Sequence, residues 1–334
     1  MAGRNIGLAL SGGGSKGAFT VGVLKHLRFK LGVRNYRVIS GTSTGALIGT
    51  LLCTNQFTRL VKVYSSVKTS DLLDPNHALV ASIAGPAGVL FASAVLGGRS
   101  IFDTTKLFKV IQENVDFQKV KARAGKCLLI YNAVDLQSGK TVRFNNRDHS
   151  ASVLPKALLA SSNQPVLTDP VDIQTGGAKH QYVDGGVREF LPLDAVYQSG
   201  VELDHIFAIS TSPITATKGK KEYDKITDIL VRTIDLLNTE VGRGDLRAAG
   251  QYNALLQILE NALAQGISRT KVLASVDPAV VRSLRDKRAI PVTFIGPSRH
   301  LEMDGLKFDP KEMKRVMKQG VERAKQVLRD FDID

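Results

Sequence analysis

Short apolar runs and longer stretches of helical spacing alternate along the first part of the chain. Ile6 to Leu10 is a continuous apolar run of strand length, and a glycine cluster follows it. From Ala18 to Leu31, Val21, Leu24, Leu27 and Leu31 fall on one side of a helix. A second run, Tyr36 to Ser40, leads through Gly41 to Gly45 into another helix beginning near Ala46. This strand, loop, helix, strand, loop, helix order predicts a parallel sheet, because parallel neighbours need crossover connections. Further strands are expected at Leu128 to Val134, Thr141 to Phe144, Gln181 to Asp184, Ile206 to Ser210 and Val292 to Ile295.

The carboxyl third reads as mainly helical. Between about Tyr223 and Gln265, Ile226, Ile229, Leu230, Ile234 and Leu237 keep helical spacing. The end of the chain is a basic amphipathic helix, with Met313, Val316, Met317, Val321, Ala324, Val327, Leu328 and Phe331 as its apolar stripe. That stripe is expected to pack on the sheet, with membrane binding as the alternative. From Ala78 to Gly98 there are about 20 residues without a charge, enough by count to span a bilayer. Gly85, Pro86, Gly88 and Gly97 would break such a span, so a lid or interfacial hairpin is the expectation, beside an ordinary buried insertion. With 334 residues, 43% of them apolar, the chain can form one large α/β domain. Its core is expected over about residues 5–212, with a lid-like insertion at about 74–100 and a helical extension at about 213–334.

Charge changes the picture of partners. The formal net charge is +14, and no Asp or Glu precedes Asp71 although many Lys and Arg do. Such a bias favours an anionic partner: a membrane surface, a nucleic acid or an acidic cofactor. Aromatic residues make up only 6% and Trp is absent, which disfavours the stacking platforms of single-strand nucleic-acid binders. Cys53 and Cys127, both in apolar surroundings, read as buried small hydrophobes and suit a reducing compartment. The apolar run after Arg4 is too short for a signal-peptide core. A cytoplasmic protein with peripheral membrane association is the resulting expectation.

Three local patterns carry chemistry. Gly41-Thr42-Ser43-Thr44-Gly45 has the form of a nucleophile elbow, a serine on a sharp turn between strand and helix. Its hydroxyl would stand at a helix amino terminus, whose dipole favours a developing anion. Ser11 to Gly17 also follows a strand and opens a helix, and its small residues let successive N–H groups converge on a phosphate or an oxyanion. Gly12, Gly14 and Gly17 fit the dinucleotide fingerprint as well, yet no acid follows at the ribose-binding distance, so only a 2′-phosphate cofactor read by Arg34 or Arg37 would suit. Asp184, in Tyr182-Val183-Asp184-Gly185-Gly186, is the candidate base, with a hairpin-turn aspartate as the ordinary alternative. None of the six histidines lies in a convincing catalytic neighbourhood, and a conventional triad would need a late one such as His300.

In this order, the glycine loop, the G-x-S-x-G elbow and the Asp-Gly-Gly turn resemble the patatin-like phospholipases. The resemblance extends to Asn132 to Leu136, to Ala160 to Pro165 and to Pro192-Leu193, over roughly Ile6 to Ser212. It implies a three-layer α/β/α fold with a mainly parallel sheet and a Ser-Asp dyad without histidine. It also implies hydrolysis of fatty-acyl esters of phospholipids or lysophospholipids, with no metal and no cofactor. Ser43 would attack the acyl carbonyl, Asp184 would take its proton, Gly12, Gly13 and Gly14 would hold the oxyanion, and Lys16 would lend positive potential near a lipid phosphate. Asn163, where the family has alanine, and Glu189-Phe190, where it has an asparagine-containing stretch, leave the shape of the pocket open. Acyl transfer with the same dyad and a nucleotide-binding regulator built on the Gly12 to Gly17 loop stand as alternatives. Some relatives are switched on by a ligand or protein, which the basic region after Ser212 could receive.

Overall fold

Runs in which nearly every residue is buried form the centre of the molecule, whose computed structural model describes residues 4–75, 100, 102–215, 222–224, 226–274, 288–329 and 331. The strands are β1 (Ile6–Leu10), β2 (Val38–Gly41), β3 (Leu128–Asp135), β4 (Thr141–Asn145), β5 (Val171–Thr175), β6 (Ala178–Asp184), β7 (His205–Ile209) and β8 (Val292–Ile295). They form one sheet in the order β8-β7-β1-β2-β3-β6-β5, with β4 also paired to β3. From β8 to β3 the neighbours are parallel, and β4, β5 and β6 join antiparallel. The expected mainly parallel sheet is therefore present.

The main helices are α1 (Gly17–Phe29), α2 (Thr44–Cys53), α3 (Phe57–Ser66), α4 (Thr105–Asn114), α5 (Leu154–Ser162), α6 (Leu193–Tyr197), α7 (Ile226–Ala264) and α8 (Pro310–Val327). Alternation along the strands assigns them to layers. Leu8, Leu10, Ile39 and Leu129 face a core shared with α1, α2, α5 and α8. Ala9, Val38, Leu128 and Ile130 face a second core shared with α6 and α7. The result is a three-layer α/β/α arrangement.

Two features differ from the sequence reading. The stripe of α8 meets chiefly α1 rather than the sheet, burying Met313, Val316, Met317 and Ala324. The helices approach so closely that a Cβ at Gly22 would collide with the Met317 carbonyl and one at Gly320 with the Phe19 carbonyl. In addition, β5 forms a hairpin with β6 through Gly176-Gly177, both with positive φ, as a two-residue turn requires. The uncharged stretch expected as a lid, Ala78 to Gly98, lies outside the described residues.

The end of β2 is the point that matters for function. Residues Ile130 to Val134 of β3 pair with β4 throughout, so β2 and β6 share the opposite edge of β3 end to end. Gly41 pairs with Tyr131 and Asp184 with Ala133, only two positions further along β3. The sheet thereby delivers the ends of two strands, distant in sequence, to one place.

Candidate active site

Ser43 follows β2 and opens α2 in a backbone conformation of φ 57 and ψ −127. Positive φ is costly for a side-chain-bearing residue and persists where surrounding structure enforces it. The enforcement here is steric: a Cβ on Gly41 would strike the Gly45 main chain, and one on Gly45 would strike the Leu10 carbonyl. Asn132 Nδ2 fixes the approach, donating to Ser40 Oγ at 2.9 Å and to the Gly41 carbonyl at 3.1 Å. Thr42 Oγ1 donates to the Glu189 carbonyl at 2.9 Å. The Thr44 hydroxyl bonds to that of Tyr64.

Asp184 ends β6 and opens a short 3-10 turn, Gly185–Val187, so it is not the aspartate of a hairpin turn. Its side chain is buried, and Oδ1 accepts the Gly186 N–H at 2.7 Å. Burial pushes the carboxyl up to about 6, against the opposing pull of the Ser43 hydroxyl and the Gly186 amide as donors. Oδ2 makes no hydrogen bond of standard geometry. The Ser43 hydroxyl and the Asp184 carboxyl are within each other's influence without a closed hydrogen bond.

The segment Ala160 to Pro165 supports both groups through atoms a sequence does not advertise. Ser161 Oγ accepts the Ser43 N–H at 3.2 Å, and the Asn163 carbonyl accepts the Asp184 N–H at 2.8 Å. The Asn163 side chain points elsewhere, donating to the Asp169 carbonyl at 2.7 Å.

The glycine loop lies against the same centre. Gly13 and Gly14 have φ of 133 and 55, and a Cβ on Gly12 would fall 3.1 Å from Ser43 Cβ. Among the described residues no hydrogen bond occupies the N–H groups of Gly12, Gly13 or Gly14. The neighbouring Ser15 is anchored, its N–H on the Gly305 carbonyl and its hydroxyl on the Asp304 carbonyl, both at 2.9 Å. That loop of the carboxyl third was not legible in the sequence. Gly13, Gly14 and Ser43 open onto a cavity of about 210 Å³ whose other walls include Leu47, Val63, Leu107, Leu158 and Phe308.

Lys16 occupies a different position from the one its place in the loop suggested. It is 3% exposed, does not line the cavity, and forks both Asp235 oxygens at 2.8 and 2.9 Å. His300 stands 3.7 Å from Asp235, and His205 bonds to Thr293. Among the described residues no histidine bonds to Ser43 or Asp184, and no cluster of three or more His, Cys, Asp or Glu is arranged to hold a metal.

A strained serine thus stands between strand and helix, with a buried carboxylate delivered near it and a glycine loop of open amides alongside. A family model described as Patatin-like phospholipase matches residues 8–197, and the chain belongs to that family. Probable lipid hydrolase 463L of Invertebrate iridescent virus 6 is 24% identical over 258 residues, 74% of this chain and 84% of that protein. A cUMP-AMP-activated phospholipase of Escherichia coli is 50% identical over 48 residues, 14% of this chain and 15% of that one. Among solved structures, VipD from Legionella pneumophila is similar at a TM-score of 0.48 and 13% identity, over 98% of this chain and 67% of that one. No helix among the described residues is long and apolar enough to cross a membrane.

Proposed function

We propose that this chain is a serine acyl hydrolase that cleaves fatty-acyl esters of phospholipids or lysophospholipids through an acyl-enzyme on Ser43. The observation that carries the reading is the approach of the buried carboxyl of Asp184 to Ser43, which is held at φ 57 in its elbow and lines an apolar cavity. In this mechanism an acyl chain enters the cavity, which sets the ester carbonyl against Ser43. Asp184, ionised, accepts the hydroxyl proton as Oγ attacks. The unoccupied N–H groups of Gly12, Gly13 and Gly14 receive the oxyanion, a contribution of about 3 to 4 kcal/mol for each donor. Asp184 then returns the proton to the leaving alcohol and activates the water that frees Ser43. The basic chain would meet its substrate at an anionic membrane surface as a peripheral protein.

Acyl transfer and nucleotide binding have no comparison in their favour, and the glycine loop faces Ser43 at the acyl cavity. A fluorophosphonate probe tests the reading: the wild type should be labelled and Ser43→Ala should not. Absence of labelling in a folded wild type, both alone and with a cyclic dinucleotide added, would sink it. Control by a ligand is a second reading, favoured by the name of the Escherichia coli relative. Labelling that rises on adding a cyclic dinucleotide would support it, and identical rates across such ligands would remove it.

A further inference from the structure

The long helix α7 lies beyond the stretch that carries the family likeness, yet one of its faces reaches the loops of the site. Asp235, Asn238, Gly242, Asp245 and Ala249 succeed one another at intervals of three and four, so they line a single side of the helix. Asp235 holds Lys16 at the back of the glycine loop. Asn238 lines the acyl cavity, and its Oδ1 stands 3.5 Å from where a Cβ on Gly186 would sit. Gly242 leaves room for the Phe190 ring, which a Cβ there would meet at 2.9 Å. Asp245 Oδ2 accepts the Leu191 N–H at 2.8 Å, and the Phe190 N–H exerts a further pull on the same carboxylate. Ala249 is buried in the core shared with Leu191.

Phe190 is the piece this face grips. Its buried ring edge lies 3.2 Å from a Cβ position on Gly12 and 3.5 Å from one on Gly186. It is thus wedged between the loop that offers amides and the loop that carries Asp184. The preceding residue, Glu189, holds Thr42 beside Ser43 through its carbonyl. Segment 189–191 therefore touches all three catalytic loops, and Asp245 is what ties it to α7.

We propose that Asp245 is a positioning residue for the Ser43 and Asp184 chemistry, setting the spacing of the catalytic loops by anchoring Phe190 between Gly12 and Gly186. The role in turnover rests on the acyl-hydrolase reading above; the anchoring does not. A carboxylate accepts an amide hydrogen bond more strongly than a carboxylic acid does. Burial pushes Asp245 up to about 7, the negative charges of Glu189 and Asp194 add to that rise, and the neighbouring backbone amides oppose it only in part. Arg143, Arg188, Glu189, Asp194, Tyr197 and Tyr252 surround the same hollow. As pH falls through that value the anchor gains a proton and slackens.

Two measurements on the full chain test this, with wild type, Asp245→Asn and Asp245→Ala. The first is the rate of fluorophosphonate labelling from about pH 5 to about pH 9. Loss of the anchor should slow labelling by on the order of tenfold, given how steeply rate depends on ångström-scale placement. In Asp245→Asn the acid limb should also move from about 7 toward about 6, where Asp184 remains to titrate. The second is amide hydrogen exchange, which needs no activity. Peptides covering 11–17 and 185–193 should exchange several-fold faster in either variant, while β1 and β3 stay protected. In the wild type, exchange in 185–193, corrected for intrinsic rates, should rise below pH 7, so the anchor is tested even if a variant fails to fold. Unchanged exchange in 185–193 would overturn the anchoring. Faster exchange with unaltered labelling and an unmoved acid limb would overturn the positioning role, and a wild type that never labels would indict the hydrolase reading instead.

Discussion

Ser43 combines a strained backbone with a hydrophobic approach, and two substitutions separate its chemistry from its structure. Ser43→Ala removes one hydroxyl from a wall the glycines already enforce, so labelling should vanish while the unfolding midpoint changes little. Asp184→Asn should abolish turnover as well, but it should raise stability at neutral pH. Asp184 has a folded pKa of about 6 against an ordinary 3.8, so the fold prefers the protonated carboxyl. That preference is fully present below 3.8 and is lost as pH rises to about 6; at pH 7 the ionised group weighs against folding by at most about 3 kcal/mol. Urea unfolding of Asp184→Asn and wild type at about pH 4 and pH 7 checks this: the difference should appear only at the higher pH. In the proposed mechanism the base must be ionised, so labelling of the wild type should also decline as pH falls through the titration of Asp184. Ser43 and Asp184 were legible because turn glycines flank both. The stretches holding Ser161, Asn163 and Phe190 were marked by the resemblance but their contacts were not legible, since they act through a hydroxyl in a helix, a main-chain carbonyl and a ring edge, none of which has a spacing of its own.

The helices and strands show where pattern suffices and where it does not. Buried runs such as Ile6 to Leu10 and Leu128 to Val134 announce central strands, and β7 and β8 start and end within a residue of the pattern. The edge strand β5 escaped because Val171-Asp172-Ile173-Gln174-Thr175 buries only alternate positions; its Gly176-Gly177 turn was the available signal. Amphipathicity marked α8 as a packing helix but did not name its partner, which depends on Gly22 and Gly320 allowing backbones to meet. Replacing Gly320 with Leu should therefore destabilise the domain by about 1 to 3 kcal/mol or more, as overpacking does. A urea midpoint equal to that of wild type would show that the two helices are not in this close contact. The loop at 304–305, between β8 and α8, reaches the glycine loop, so the same variant should slow labelling beyond what its stability loss explains.

For the whole molecule, charge and apolar depth work in sequence. The proposed approach to an anionic surface rests on the net charge of +14, and screening would weaken such attraction. Co-sedimentation with anionic vesicles should thus fall steeply from low to high salt, and neutral vesicles should retain little protein; salt-independent binding would contradict an electrostatic approach. The proposed chemistry rests on a hydroxyl and a carboxyl that the β3 edge brings toward one place from 141 positions apart, Ser43 and Asp184. The most direct measurement is release of free fatty acid from phospholipid vesicles by wild type, Ser43→Ala and Asp184→Asn, each shown to be folded. Release by the wild type alone is the predicted result. Equal release by either variant and the wild type would contradict the account.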